Sequence, residues 1–441
     1  MAVRKIGLYL ALIFVITLLS GCVFSSVDEM YRLPKRSEEY KALQQVLDQA
    51  MMHLSYCAPV SGQQRQTVQS VDLDGDNETE YIIYAKGDAE LPLRMLIFDK
   101  KGNEYQHIDT IRCNGTAFDQ VEYIQMDDKP GMEIVVGRQV SDQLLRSLSV
   151  YTFKDGQSEQ LMSANYQRFL GVNLNDDTQS ELMVMRPGLT EIDRGVVELY
   201  SIRDGNVERS VEVNMSEPID RLKRIVVGRL YDDIPAVFVA SAIGDSALIT
   251  DVYALIDGTL TNVTFSNESG TSVKTLRNYY VYADDIDDDG IVELPHLIEM
   301  QVPDQSHVRS GHNVIRWYAM TASGGEVDKS YTYHNFEGGW YMELNNLWAA
   351  RTFVLRQGNQ CDFYVWNEPG TAYVKLMSVY TLTGQDRAQQ AVADGRFVIY
   401  EGETVVYAAS VSADAASYGL TDKTLPGCFR LIRQDWNSGE M

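Results

Sequence analysis

The sequence predicts a mainly β protein: a β-propeller of about five to seven blades followed by a small α+β C-terminal module. Three observations predict it. Short alternating apolar strands fill the region from about Arg65 to Glu343, broken by Asp-Gly and Asn-Gly turns. A hairpin with an acidic turn recurs there, the turns beginning near residues 72, 125, 173, 230 and 285, roughly 50–60 apart. The pattern breaks at Asn345, after which strand-like and helix-like segments mix. The expected domains are 1–21, 22–63, 64–344 and 345–441.

The chain begins with a secretory pattern. Arg4 and Lys5 precede an apolar run from Ile6 to Leu19, then Leu19-Ser20-Gly21-Cys22. The run is short for a membrane span of about 20 residues. Leu19 to Cys22 resemble the lipobox of bacterial lipoproteins. The resemblance implies cleavage after residue 21 and a diacylglycerol on the Cys22 thiol. Two acyl chains, at roughly 0.8 kcal/mol per buried methylene, anchor a protein stably. The expected location is therefore extracytoplasmic, at the outer face of the cell membrane.

Val23 to Lys35 reads as a tether. From Ser37 to Tyr56 the apolar residues Leu43, Val46, Leu47, Ala50, Met51 and Leu54 recur on one helical face. Glu38 and Glu39 near its start suit the helix dipole.

The repeats follow. Their clearest units are Val71–Tyr84 (VDLDGDNETEYIIY) and Asp285–Leu297 (DIDDDGIVELPHL). Val172–Met185 is weaker, and Ile124–Gly137 and Leu230–Ala240 are eroded. Each unit has an apolar strand, an acidic turn and a second apolar strand, with further strands after it. A lone sheet of this kind exposes its edges and one apolar face, and packing blades around an axis buries the faces. Five units are evident. A sixth or seventh is allowed for by the long stretch between 300 and 345. In the last segment, Phe353–Leu355, Phe363–Trp366, Val374–Leu382, Phe397–Tyr400 and Thr404–Ala409 read as strands. Asp386–Ala393 reads as a helix, and Thr421–Leu431 as a site for a second.

The acidic turns are the candidate metal sites. Asp72, Asp74, Asp76 and Glu80 stand at positions one, three, five and nine of the first, and Asp285, Asp287, Asp289 and Glu293 at the same positions of the last. Calcium takes six to eight oxygens, which alternating carboxylates on a curled loop supply. Asn173, Asn175, Asp177 and Glu181 keep the oxygens with less charge. Gln125, Asp127, Lys129 and Glu133 place a lysine in the cage, and Leu230 and Asp232 leave the fourth turn without a ligand set. The other reading is plain turn chemistry, with Asp and Asn making Asx-turns and no ion.

These loops resemble those of FG-GAP and VCBS propeller repeats, most closely at 72–80 and 285–293. The resemblance implies a loop joining the first two strands of a blade and holding structural calcium. The segments Asp28–Tyr40 and Tyr56–Asp76 are similar to VCBS-type lipoproteins of anaerobic Firmicutes. That family implies no activity.

Charge and composition exclude several classes. The formal net charge is −24, and removing the leader's two basic residues makes it more negative. Such a chain binds no nucleic acid, which demands clustered Lys and Arg, and is repelled by anionic headgroups. Four cysteines follow Cys22 with no C-x-x-C spacing, which argues against zinc or iron–sulfur sites. The pairings Cys57–Cys113 and Cys361–Cys428 each fall within one expected domain, with free buried thiols as the alternative.

No G-x-S-x-G, H-E-x-x-H or P-loop motif occurs. Gly244-Asp245-Ser246 reads as a hairpin turn. His307 and His312 lie in a polar loop, and joining His296 or His334 in a metal site would need the fold to gather them. The aromatic cluster Trp317, Tyr318, Tyr331, Tyr333, Trp340 and Tyr341 is the candidate binding surface, because aromatic rings stack on sugars. The expected function is non-catalytic binding or scaffolding, toward a cell-envelope protein or glycan. A cell-wall or polysaccharide enzyme with a site in a central channel is one alternative. A sensor docking a partner through the C-terminal module is another.

Overall fold

The computed structural model describes residues 44, 46–102, 104–140, 146–188, 194–278, 281–303, 309–310 and 313–433. Cys22, the tether, His307 and His312 lie outside the described residues, as does the first half of the expected N-terminal helix. Helical backbone is present at 46–50.

The chain is mainly β. Among the described residues the strands form six antiparallel sheets, whose main strands span 55–113, 117–166, 168–214, 222–262, 293–344 and 352–411. Five coincide with the five repeats. The sixth is built mainly from the segment expected to be an α+β module, with Arg309–Ser310 on its edge, and among the described residues no extra sheet lies between 300 and 345. Its predicted strands are all present, with a short helix at Arg387–Ala391 and a single helical turn at Leu425–Cys428. The two sides of the expected boundary at 344 share one core, and strand Phe429–Leu431 returns to pair with Trp340–Leu344 of the fifth sheet.

The repeats agree residue by residue. Glu80, Glu133, Glu181 and Glu293 each begin the strand after the acidic turn. The next residue faces a ring on the neighbouring strand: Tyr81 opposite Phe98, Ile134 opposite Tyr151, Leu182 opposite Tyr200, Leu294 opposite Tyr318. Within four of the turns one apolar residue plugs the core, Leu73, Met126, Leu174 and Leu230 being buried, and in the fifth Ile286 is partly buried. In the fourth unit Pro235 stands where the others have glutamate.

Neighbouring sheets bury their faces together. Tyr84 and Met95 of the first pack with Phe118 and Val136 of the second. Val135 and Leu148 meet Leu182 and Val184 of the third. Met183 and Val197 meet Val237 and Tyr253 of the fourth. Phe238 and Val252 meet Leu294 and Tyr318 of the fifth. Tyr333 and Trp340 meet Phe363 and Val379 of the sixth. The outer face of the first sheet, at Ile83, Leu96 and Phe98, is covered by Leu47 from the N-terminal helix. That of the sixth, at Leu382 and Val406, is covered by Ala391.

All four described cysteines are free thiols, so the disulfide expectation is corrected. Each proposed pair does share a core, but three of the sulfurs have other partners. Cys113 Sγ lies 3.5 Å from the Tyr151 hydroxyl, Cys361 Sγ accepts from Asn335 Nδ2 at 3.3 Å, and Cys428 Sγ donates to the Thr424 carbonyl at 3.7 Å.

Candidate functional site

The turns curl because their carboxylates accept from their own backbone. Asp72 takes N–H groups from Gly75 at 2.7 Å and Asn77 at 3.0 Å. Asp285 takes those of Asp289 at 3.0 Å and Gly290 at 2.8 Å. Left-handed backbone at Gly75 and Gly290 (φ 76° and 88°) closes each turn, where glycine carries no Cβ penalty.

The ninth-position glutamate is the deep member. Glu80 Oε2 accepts from Leu73 N–H at 2.6 Å and Glu293 Oε2 from Ile286 N–H at 3.1 Å. Glu133 and Glu181 do the same with Met126 and Leu174, both at 2.9 Å. Among the described residues, the Oε1 atoms of Glu80 and Glu293 are buried without a hydrogen-bond partner. Burial, with Asp74, Asp99 and Asp72 close by, pushes the Glu80 carboxyl up to about 7. Burial likewise pushes Glu293 up to about 8, helped by Asp287 and Asp289 and opposed by Lys329.

Two groups of carboxylates have oxygens within 4.8 Å of one another: Asp72, Asp74 and Glu80, and Asp285, Asp287 and Asp289. Asp76 falls outside the first group; it is exposed and caps the Glu78 N–H at 2.7 Å. Asn173, Asn175, Asp177 and Glu181 do not gather as carboxylates. Asn175 Nδ2 donates to Asp177 Oδ2 at 2.8 Å and Asn173 Nδ2 to the Asp177 carbonyl at 2.6 Å, so the third turn closes on itself. In the second turn Lys129 Nζ lies 3.2 Å from Asp127 Oδ2.

Sequence reasoning missed Lys329. Its ammonium hydrogen-bonds Asp289 Oδ2 and lies 3.5 Å from Asp287 Oδ2 and 3.9 Å from Glu293 Oε1. It reaches the last turn from a strand two over in the same sheet. The available signal was a lysine in a position where sister repeats carry apolar residues.

The expected aromatic surface is corrected. Trp317, Tyr318, Tyr333 and Trp340 are buried, while Tyr331 and Tyr341 are half-buried. Adjacent residues such as Trp317 and Tyr318 serve different clusters, because the fifth sheet is covered on both faces. His334 joins this core: its Nε2 lies 2.9 Å from Thr332 Oγ1, and Thr332 accepts from Trp317 Nε1 at 2.8 Å. His296 is exposed. Gly244-Asp245-Ser246 is the hairpin turn expected.

A groove of about 500 Å³ opens between the third and fourth sheets, lined by Leu199, Leu260 and Pro235 with Arg203, Arg209 and Asp233 among its polar groups. Its size suits a small ligand. Among the described residues, no helix is long and apolar enough to cross a membrane.

No protein-family model and no curated protein matches the chain. Among solved structures it is similar to a protein from Lactobacillus plantarum (11% identity, 72% of this chain and 85% of that one, TM-score 0.25). It is also similar to the rhamnogalacturonan lyase YesW (11%, 73% and 71%, TM-score 0.30) and to Sqt1 from Chaetomium thermophilum (12%, 78% and 94%, TM-score 0.30). Overall superposition is poor in each case.

Proposed function

We propose that this chain is a membrane-anchored extracytoplasmic lipoprotein, tethered through Cys22, whose six sheets form a propeller frame for non-catalytic binding, with structural calcium at the turn 72–80. One observation carries the frame reading. The most concentrated carboxylates are spent inside hairpin turns, where they cap N–H groups and hold strands in register. The calcium reading is supported by Glu80, whose buried Oε1 joins Asp72 and Asp74 with no ion pair to a cationic side chain among the described residues. The groove between the third and fourth sheets is the proposed recognition site, toward a cell-envelope glycan or protein.

The test incubates the full chain, in detergent, with isolated cell-wall polysaccharide. Retention without new reducing ends is the expected result, weakened by charge-reversing Arg203→Glu and Arg209→Glu in the groove. Release of reducing ends would instead establish the enzyme alternative. For the frame, small-angle scattering should give a radius of gyration of about 22 Å, the value for a compact chain of this length; a much larger value rejects a compact frame.

A further inference from the structure

We propose that Lys329 is a built-in cation occupying the metal position of the turn at 285–293, so that the chain takes a divalent cation at 72–80 alone. This rests on the calcium reading of the first turn. Both turns carry aspartates at positions one, three and five, a buried glutamate at nine, and the same N–H contact to that glutamate. They differ in what meets the carboxylates.

A β-bulge explains the difference. In the fifth sheet Trp317 faces Ser330 and Tyr318 faces Asp328, which leaves Lys329 as the extra, unpaired residue. The first sheet has the same irregularity: Ile97 faces Asp109 and Phe98 faces His107, leaving Ile108. The second repeats it, with Val150 opposite Met162, Tyr151 opposite Gln160, and Leu161 left over. The three bulges are equivalent, since Phe98, Tyr151 and Tyr318 all face the residue after the ninth-position glutamate. Bulges re-aim a side chain. Here they aim it toward the turn's end of the sheet.

In the first two sheets the bulge side chain is apolar and packs on the core beside the turn's plug. In the fifth it is a lysine with only 16% of its side chain exposed, ringed by Asp287, Asp289 and Glu293. An ammonium and a calcium ion cannot share one set of oxygens. Tethering also removes the ammonium's translational cost, so free calcium competes poorly with it. At 72–80 the slot holds Ile108, and Glu80, 1% exposed, keeps Oε1 without a partner beside Asp72 and Asp74.

The experiment is calcium titration of the chelator-stripped full chain by calorimetry, with stoichiometry also read by native mass spectrometry. Wild type should bind one ion. Lys329→Ile, which installs the first sheet's own residue, should bind two, and adding Asp287→Asn should remove the second. Lys329→Met keeps the aliphatic stem and should behave likewise if the isoleucine variant melts early. Ile108→Lys should weaken the first site at least tenfold. Two ions in wild type, or one in wild type and still only one in a folded Lys329→Met protein, would overturn the inference. No ion in wild type but one in Lys329→Met would uphold Lys329 while rejecting calcium at 72–80. No ion in either would reject both.

Discussion

The first and fifth sheets share a register and solve one electrostatic problem in two ways. Each brings three or more carboxylates together at a hairpin and buries a glutamate beneath them. Like charges so placed raise each other's pKa values and oppose folding unless something positive enters. The fifth sheet supplies Lys329 from its own bulge; the first supplies Ile108 and leaves the charge to solvent or an ion. Backbone pattern therefore fixes where a cation belongs, and one side chain two strands away decides whether it comes from the chain.

The cores beside the two turns differ as well, and this gives the largest expected effect. Trp317 of the fifth sheet occupies the position of Ile97 in the first, each just before the bulge and each fully buried. Trp317→Ala should cost about 3–5 kcal/mol in urea unfolding, from lost transfer energy and the cavity left behind. The indole also donates to Thr332, so that hydrogen bond is lost too, while the Thr332–His334 contact stays. A loss below about 1 kcal/mol would mean the ring belongs to a surface, as its sequence setting suggests.

Much of the fold was legible because turn chemistry is local. Asp-Gly pairs, alternating apolar residues and a period near fifty placed five sheets and the strands of the sixth. The sixth was misread as a separate module because it lacks an acidic turn, and its kinship shows only in packing against Tyr333 and Trp340. The aromatic cluster was misread for a related reason. Alternation assigns one face to solvent, but a sheet stacked between two others has none. The acidic turns were legible as residues; their inequality was not. It depends on a bulge that places position 329 next to 287–293, and no local pattern announces that pairing.

Acid should also single out the fifth sheet. His334 of the fifth is buried beside Trp317 and Tyr341, and burial holds its imidazole down at about 3. In the unfolded chain it titrates near 6.5. The unfolded state therefore takes the proton first. The contribution is intact above pH 6.5 and is lost as pH falls toward 3, by about 3 kcal/mol at pH 4. Unfolding free energy measured from pH 7 to 4 should fall less steeply in His334→Phe than in wild type. Parallel curves would show that the ring is hydrated.

The smallest effect discriminates most sharply between the turns. Glu80→Gln keeps an oxygen for the Leu73 N–H and removes a buried charge that Asp74, Asp99 and Asp72 oppose. In chelator its stability should match or slightly exceed wild type, within about 1 kcal/mol, because a desolvated like charge has gone. In millimolar calcium the same variant should lose most of the calcium-dependent gain that wild type shows. Glu293→Gln keeps the Ile286 contact but takes one of three carboxylates from Lys329. Burial also opposes its charge, so the variant should cost no stability, and its behaviour should be the same with and without calcium, because the cation of that turn is part of the chain. Thermal melts of both variants in calcium and in chelator check this. If Glu293→Gln tracks calcium as Glu80→Gln does, the two turns are one kind of site and the lysine is a bystander.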